Sequence, residues 1–195
     1  MSCRARSAAW VIVLLASFCP AAADVIPESW EFEIYGGTSD PGFDFLDDDL
    51  VYGVRAGYNV TEYFNFTTSV GYFSTDEEVS SLGFTGDIEF SDTTLDLSAM
   101  LNLIPDKAFN PQLFAGIGWS FVSLDAEVTG PGGTFPSSVE ADDDSFTAHG
   151  GAGIRIDLGR VVYLNGQIRL RWYEARDEDH TATEYTLGLG FKVGS

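Results

Sequence analysis

An all-β fold, an eight-stranded antiparallel transmembrane β-barrel, is what this sequence predicts, and three observations predict it. Large apolar side chains recur with a period of two in eight stretches. The alternate positions in those stretches carry glycine, serine and a few long charged side chains. The connections between stretches alternate between long and short.

The chain begins with a segment outside this pattern. In residues 1–23, Arg4 and Arg6 give a positive start, Ala8 to Phe18 an apolar run, and Ala21, Ala22 and Ala23 a small-residue cleavage site before Asp24. The apolar run is shorter than the ~20 residues a spanning helix needs. Residues 1–23 therefore read as a cleaved export signal and 24–195 as the barrel domain. Phe18 before Cys19 disfavours a lipid-modified cysteine. Cys3 and Cys19 leave with the signal, which excludes disulfides, cysteine-ligated zinc and cysteine nucleophiles from the mature chain.

The first strand, near 30–38, sets Trp30, Phe32 and Ile34 on one face against Glu31 and Glu33 on the other. The second, 50–60, sets Tyr52, Val54, Ala56 and Tyr58 against Gly53, Arg55 and Gly57. The third, 64–74, opposes Phe64, Phe66, Val70 and Tyr72 to Ser69 and Gly71. The fourth, 93–103, opposes Leu95, Leu97, Ala99 and Leu101 to Asp96 and Ser98. In the fifth, 112–123, Leu113, Ala115, Ile117, Trp119 and Phe121 alternate with Gly116, Gly118 and Ser120. The sixth, 146–158, alternates Ala148, Ala152, Ile154 and Ile156 with His149, Gly151, Gly153, Arg155 and Asp157. The seventh, 161–173, has Val162, Leu164, Ile168, Leu170 and Trp172 against Gln167, Arg169 and Arg171. The eighth, 184–193, has Tyr185, Leu187, Leu189, Phe191 and Val193 against Glu184, Gly188, Gly190 and Lys192.

Size decides which face points inward. The interior of an eight-stranded barrel is just wide enough for side chains to fill it. It suits glycine, serine and a few long polar groups, not a full set of Trp, Phe, Tyr and Leu. In water the apolar face would be one exposed patch far beyond the few hundred Å² a soluble monomer carries. In a bilayer that face is what lipid requires, and closure satisfies every backbone hydrogen bond. A soluble sandwich or lipocalin-like barrel would have to turn the glycine-crowded face to water.

The links 39–49, 75–92, 124–145 and 174–183 read as long loops, and 61–63, 104–111 and 159–160 as short turns. With the N-terminus in the periplasm, all the long links fall outside the cell. Tyr52, Tyr72, Trp119, Phe121, Phe146, Trp172 and Tyr185 then ring the outer interface, and Trp30, Tyr58, Phe64, Phe66 and Phe191 the inner one.

These features together resemble the small outer-membrane β-barrel proteins of Gram-negative bacteria, the OmpA/OmpX/OmpW-like group, over the whole mature chain. The last strand, TLGLGFKV, carries the most specific match. Thr186, Gly188, Phe191 and Val193 fit the polar-x-Gly-x-x-aromatic-x-hydrophobic signal that the barrel assembly machinery recognises in that group. Gly194 and Ser195 follow, where many members end in an aromatic residue. The textures PQLFAGIGWSF and AHGGAGIRIDL are also typical. The resemblance implies an outer-membrane location and, with no peptidoglycan-binding domain after the barrel, no tethering to the cell wall.

Strand parity gives five inward acids, Glu31, Glu33, Asp96, Asp157 and Glu184, and five inward bases, Arg55, Arg155, Arg169, Arg171 and Lys192. His149 shares that face. Arg169 and Arg171 stand two residues apart, roughly 7 Å along the strand, and require carboxylates; Glu184 and Asp96 are the expected partners. Glu31 and Lys192 are expected to meet where the first and last strands close the barrel. Paired charges of this kind read as a structural plug, with a gated or narrow ion pathway as the competing reading.

No catalytic site is legible. No Ser lies two residues from His149 or His180 on the same strand face, and a triad needs a nucleophile within reach of its base. No cofactor is called for. The acidic stretches Asp40, Asp44, Asp47, Asp48, Asp49 and Glu140, Asp142, Asp143, Asp144 do not match EF-hand spacing. The Asn-x-Thr triplets at Asn59 and Asn65 read as chance matches.

The chain's 10 bases and 30 acids exclude nucleic acid as a partner, since phosphate binding needs clustered Lys and Arg. With Arg4 and Arg6 removed, parity puts a neutral lumen beneath outer loops that carry nearly all the negative charge. Such loops would repel anionic lipopolysaccharide unless divalent cations bridge them. The functional expectation is a non-enzymatic envelope protein. A small pore or transporter for ions or apolar compounds, and an adhesin, are the alternatives.

Overall fold

The computed structural model describes residues 25–40, 49–81, 84–129, 137–175 and 178–194. Eight strands run β1 (Ser29–Asp40), β2 (Asp49–Asn59), β3 (Phe64–Ser81), β4 (Phe84–Asn102), β5 (Phe109–Thr129), β6 (Ser137–Asp157), β7 (Val162–Ala175) and β8 (Glu178–Val193). Each pairs antiparallel with its neighbours, and β8 pairs with β1 to close the barrel. Register partners lead from Trp30 through Tyr58, Phe66, Ala99, Ala115, Gly150, Leu170 and Thr183 back to β1 at Asp40, ten residues from the start. That stagger tilts the strands and brings residues from distant parts of the chain to one height in the lumen.

The faces sort as alternation requires. Ile34, Val54, Leu97, Ile117, Ile168 and Leu187 stand exposed at mid-barrel, while Glu31, Glu33, Arg55, Asp96, Arg155 and Arg169 are buried inside. The apolar side chains thus form an outer sleeve that only lipid can cover. Cross-strand aromatic pairs mark its two rims: Trp30 with Tyr58 at 5.1 Å below, Tyr52 with Tyr72 at 5.5 Å and Trp119 with Phe146 at 6.1 Å above. Leu97→Arg, near mid-height on the sleeve, is expected to cost about 2–4 kcal/mol in a bilayer unfolding titration.

Three expected loops are instead strand. Most of 75–92, 124–145 and 174–183 continues β3 to β8, leaving only 82–83, 130–136 and 176–177 between strands outside the described residues. The link at 39–49 falls largely there too, at 41–48. The expected strand ends fell at the outer rim because lipid is what makes the outward face apolar; above the rim the outward side chains are no longer apolar and the alternation fades. β3 to β6 therefore project beyond the barrel as an open sheet. β2 stops pairing with β3 at Val51–Phe73, and β7 stops pairing with β6 at Thr147–Tyr173.

Candidate functional site

The lumen is filled in layers, and the middle layer is built around Asp96. β5 carries Gly116 and Gly118 in register with Ser98 and Asp96 of β4 on one side and with His149 and Thr147 of β6 on the other. With no side chains on these two positions, groups from β4 reach across β5 to meet groups from β6 and β7. Asp96 meets two arginines in this way. Arg171 lays its fork on the carboxylate, NH1 to Oδ1 at 2.7 Å and NH2 to Oδ2 at 3.0 Å. Arg169 NH1 adds a bond to Oδ2 at 2.6 Å, and Ser69 donates to the same oxygen at 3.3 Å. Arg171 Nε turns to Glu184 at 3.0 Å, and Arg169 lies 3.7 Å from the same carboxylate. Asp96 is 2% exposed, so these bonds operate away from water, where bidentate charge-assisted contacts are strong.

A second cluster lies nearer the periplasm. Arg155 donates from NH1 to both oxygens of Glu31, at 2.8 and 2.9 Å, and from Nε to Asp157 at 3.0 Å. Lys192 stands opposite Glu31 in the β1–β8 register, but its ammonium forms its ion pair with Asp157 at 3.0 Å. The expected Glu31–Lys192 pair is thus replaced by a four-membered chain, because one terminal nitrogen of Arg155 donates to both oxygens of Glu31 while its Nε holds Asp157. Between the clusters, Arg55 pairs with Glu33, whose other oxygen accepts from Asn165 at 3.0 Å.

Three inward aromatics that the sequence reading left out support these bases. Tyr35 lies under Arg55 at 3.8 Å, Tyr163 under Arg155 at 4.0 Å, and Phe114 beside Arg169 at 5.6 Å. Each ring occupies the space left by glycine: Gly53 and Gly71 for Tyr35, Gly190 for Tyr163, Gly151 for Phe114. A belt of buried amides was missed as well. Asn65 donates to Asn59 at 2.7 Å, Asn59 to Glu31 at 2.8 Å, and Asn110 and Gln112 to Asn102 at 3.0 and 2.7 Å. Asn59 and Asn65, set aside as chance sequons, are thus inward residues. Parity was the available signal for all of them, since each falls on the inward register of its strand.

His149 has a serine partner that same-strand spacing could not reveal. Ser98 Oγ lies 2.7 Å from His149 Nε2, across Gly116. Asp96 Oδ1 is 3.7 Å from His149 Nδ1, beyond hydrogen-bond range, and both Asp96 oxygens are held by arginine. Ser98 and His149 are buried in the lumen, so no acyl group can reach the hydroxyl. The trio belongs to the packing of the middle layer. Among the described residues no three His, Cys, Asp or Glu side chains are placed to hold a metal ion.

On β8, Thr186 and Gly188 point inward while Phe191 and Val193 face outward. The assembly-signal residues thus divide between lumen and lipid, and Thr186 Oγ1 accepts from Arg55 at 3.2 Å.

A closed barrel with an apolar sleeve, aromatic rims and a polar lumen defines a membrane-spanning β-barrel protein. The sequence profile of the outer membrane protein beta-barrel domain matches residues 11–192, and the chain belongs to that family. Among solved structures it is similar to the N-terminal β-barrel domain of Pseudomonas aeruginosa OprF (17% identity, 85% of this chain and 98% of that one, TM-score 0.57). It is similar also to P. aeruginosa outer membrane protein OprG (14%, 87% and 98%, 0.57) and to Ail, the attachment invasion locus protein of Yersinia pestis (12%, 86% and 99%, 0.56). At these identities the likeness is one of fold. No curated protein matches the chain in sequence.

Proposed function

We propose that this outer-membrane barrel is a non-enzymatic structural protein of the envelope whose lumen is locked shut by paired charges. One observation carries the reading: Asp96 of β4 is bonded at once to Arg169 and Arg171, side chains that arrive across the lumen from β7, three strands around the barrel. Opening a path there would leave charges unpaired in a narrow lumen, at about 3–5 kcal/mol for one broken pair. The amide belt and the Arg155 cluster support closure nearer the periplasm. In liposome-swelling assays the purified barrel is expected to admit neither arabinose nor glycine; swelling at rates like those of an open porin would count against a plug.

A second reading, a surface interaction protein, is favoured by the sheet of β3 to β6 that continues above the outer aromatic rim. Removing the projecting parts of these hairpins should abolish binding to host cells or surfaces if that reading holds, while leaving swelling unchanged. Supporting roles are part of the proposal: residues 1–23 as a cleaved signal, recognition of Thr186, Gly188, Phe191 and Val193 by the barrel assembly machinery, and contact between the acidic outer segments and lipopolysaccharide through divalent cations.

A further inference from the structure

Above the Asp96 layer the lumen changes character. Val51, Phe73 and Phe90 are buried there with Val122 packed on them, and Phe73 meets Phe90 edge to face at 6.0 Å. They wall a cavity of about 80 Å³ that Tyr173 and Asp92 also line, with Arg171 and Glu184 among the lining groups. Asp92 was expected in an outer loop; it lies instead on the inward register of β4, in step with Thr94 and Asp96. Its Oδ1 accepts from Ser120 Oγ at 2.6 Å, and no ion pair reaches it among the described residues. Among the described residues Arg171 is the one base lining the cavity, and it is already held by Asp96 and Glu184, whereas Asp92, Asp143 and Glu184 all border the space.

We infer that this outer chamber binds a small primary alkylammonium ion, with the cationic head on Asp92 and the alkyl part against Val51, Phe73 and Phe90. A carboxylate facing an apolar space is unfavourable until a cation joins it, and aromatic walls add attraction for a cationic head. The excess of acids excludes an anion. A neutral apolar molecule would leave Asp92 uncompensated. A hard divalent ion favours several converging carboxylates, and among the described residues no three acidic or histidine side chains are placed to hold one. The Arg171–Glu184 contact borders the chamber, and binding there is independent of whether the barrel conducts.

The test is calorimetric titration of the full barrel in lipid nanodiscs with n-butylammonium, n-butanol and butyrate. Saturable binding of n-butylammonium is expected, weaker by about tenfold or more for n-butanol, as a charge-assisted hydrogen bond implies, and absent for butyrate. Asp92→Asn, in a barrel whose unboiled gel mobility is unchanged, should weaken n-butylammonium binding by a similar factor. If Asp92→Asn fails to close, the discrimination between n-butylammonium and n-butanol by the unsubstituted protein decides alone. Equal affinity for the two, no saturable binding, or unchanged binding in a folded Asp92→Asn barrel would overturn the inference.

Discussion

Asp96→Ala is expected to lower the unfolding free energy of the barrel by about 3–5 kcal/mol, measured by urea titration in detergent micelles or vesicles. The substitution removes the acceptor of three guanidinium bonds and leaves Glu184 as the nearest carboxylate for both Arg169 and Arg171. Two cations two residues apart on one strand would then share one anion in a dry interior. The charge, not the lost volume, carries this effect. Asp96→Asn, which keeps the shape, should therefore remain strongly destabilising. In the double variant Asp96→Ala with Arg169→Met the loss should be smaller than the sum of the single losses, since removing one orphaned guanidinium relieves the repulsion. Additivity would mean that Asp96 and Arg169 are not energetically coupled.

Gly118→Val should act on the same layer from another direction. A side chain at 118 would press on the Asp96 carboxylate, and its Cβ alone would come to 2.8 Å from Thr147 Oγ1 and 2.9 Å from the Leu95 carbonyl oxygen. The backbone oxygen cannot swing aside, so the strand must shift or Asp96 must leave its arginines. Overpacking of this kind costs about 1–3 kcal/mol, and displacing Asp96 adds to it. Boiled and unboiled gel mobility, followed against temperature, should show the Gly118→Val barrel opening well below the unsubstituted one. Gly166, whose missing side chain faces open space, serves as the control: Gly166→Ala should leave the transition nearly unchanged.

What could be read from the sequence was what depends on parity. A period of two places Asp96, Arg169, Arg171 and Glu184 on one face, and the size of their apolar neighbours says that this face is inward. Which groups meet depends on register and shear, and these are properties of the closed sheet. Ser98 and His149 are 51 residues apart and touch only because Gly116 stands between them. Arg155 outcompetes Lys192 for Glu31 because a stagger of ten residues brings β6 to the height of the first residues of β1. Tyr35, Phe114 and Tyr163 were overlooked because a large ring on the inward face runs against the rule that small residues fill a small barrel. They obey it in pairs, each ring against a glycine. Asp92 was misplaced for a different reason. Above the outer rim the outward side chains are no longer apolar, so the alternation that marked the strand gave no sign that β4 continued to Phe84.

The central claim is that paired charges close the lumen, and single-channel recording in planar bilayers tests it most directly. The unsubstituted protein should give no steady conductance, while Asp96→Ala, which unlocks the middle layer, should give openings or a rise in leak. Steady single-channel steps from the unsubstituted barrel, growing larger on Arg169→Ala, would show an ion path where the account places a lock.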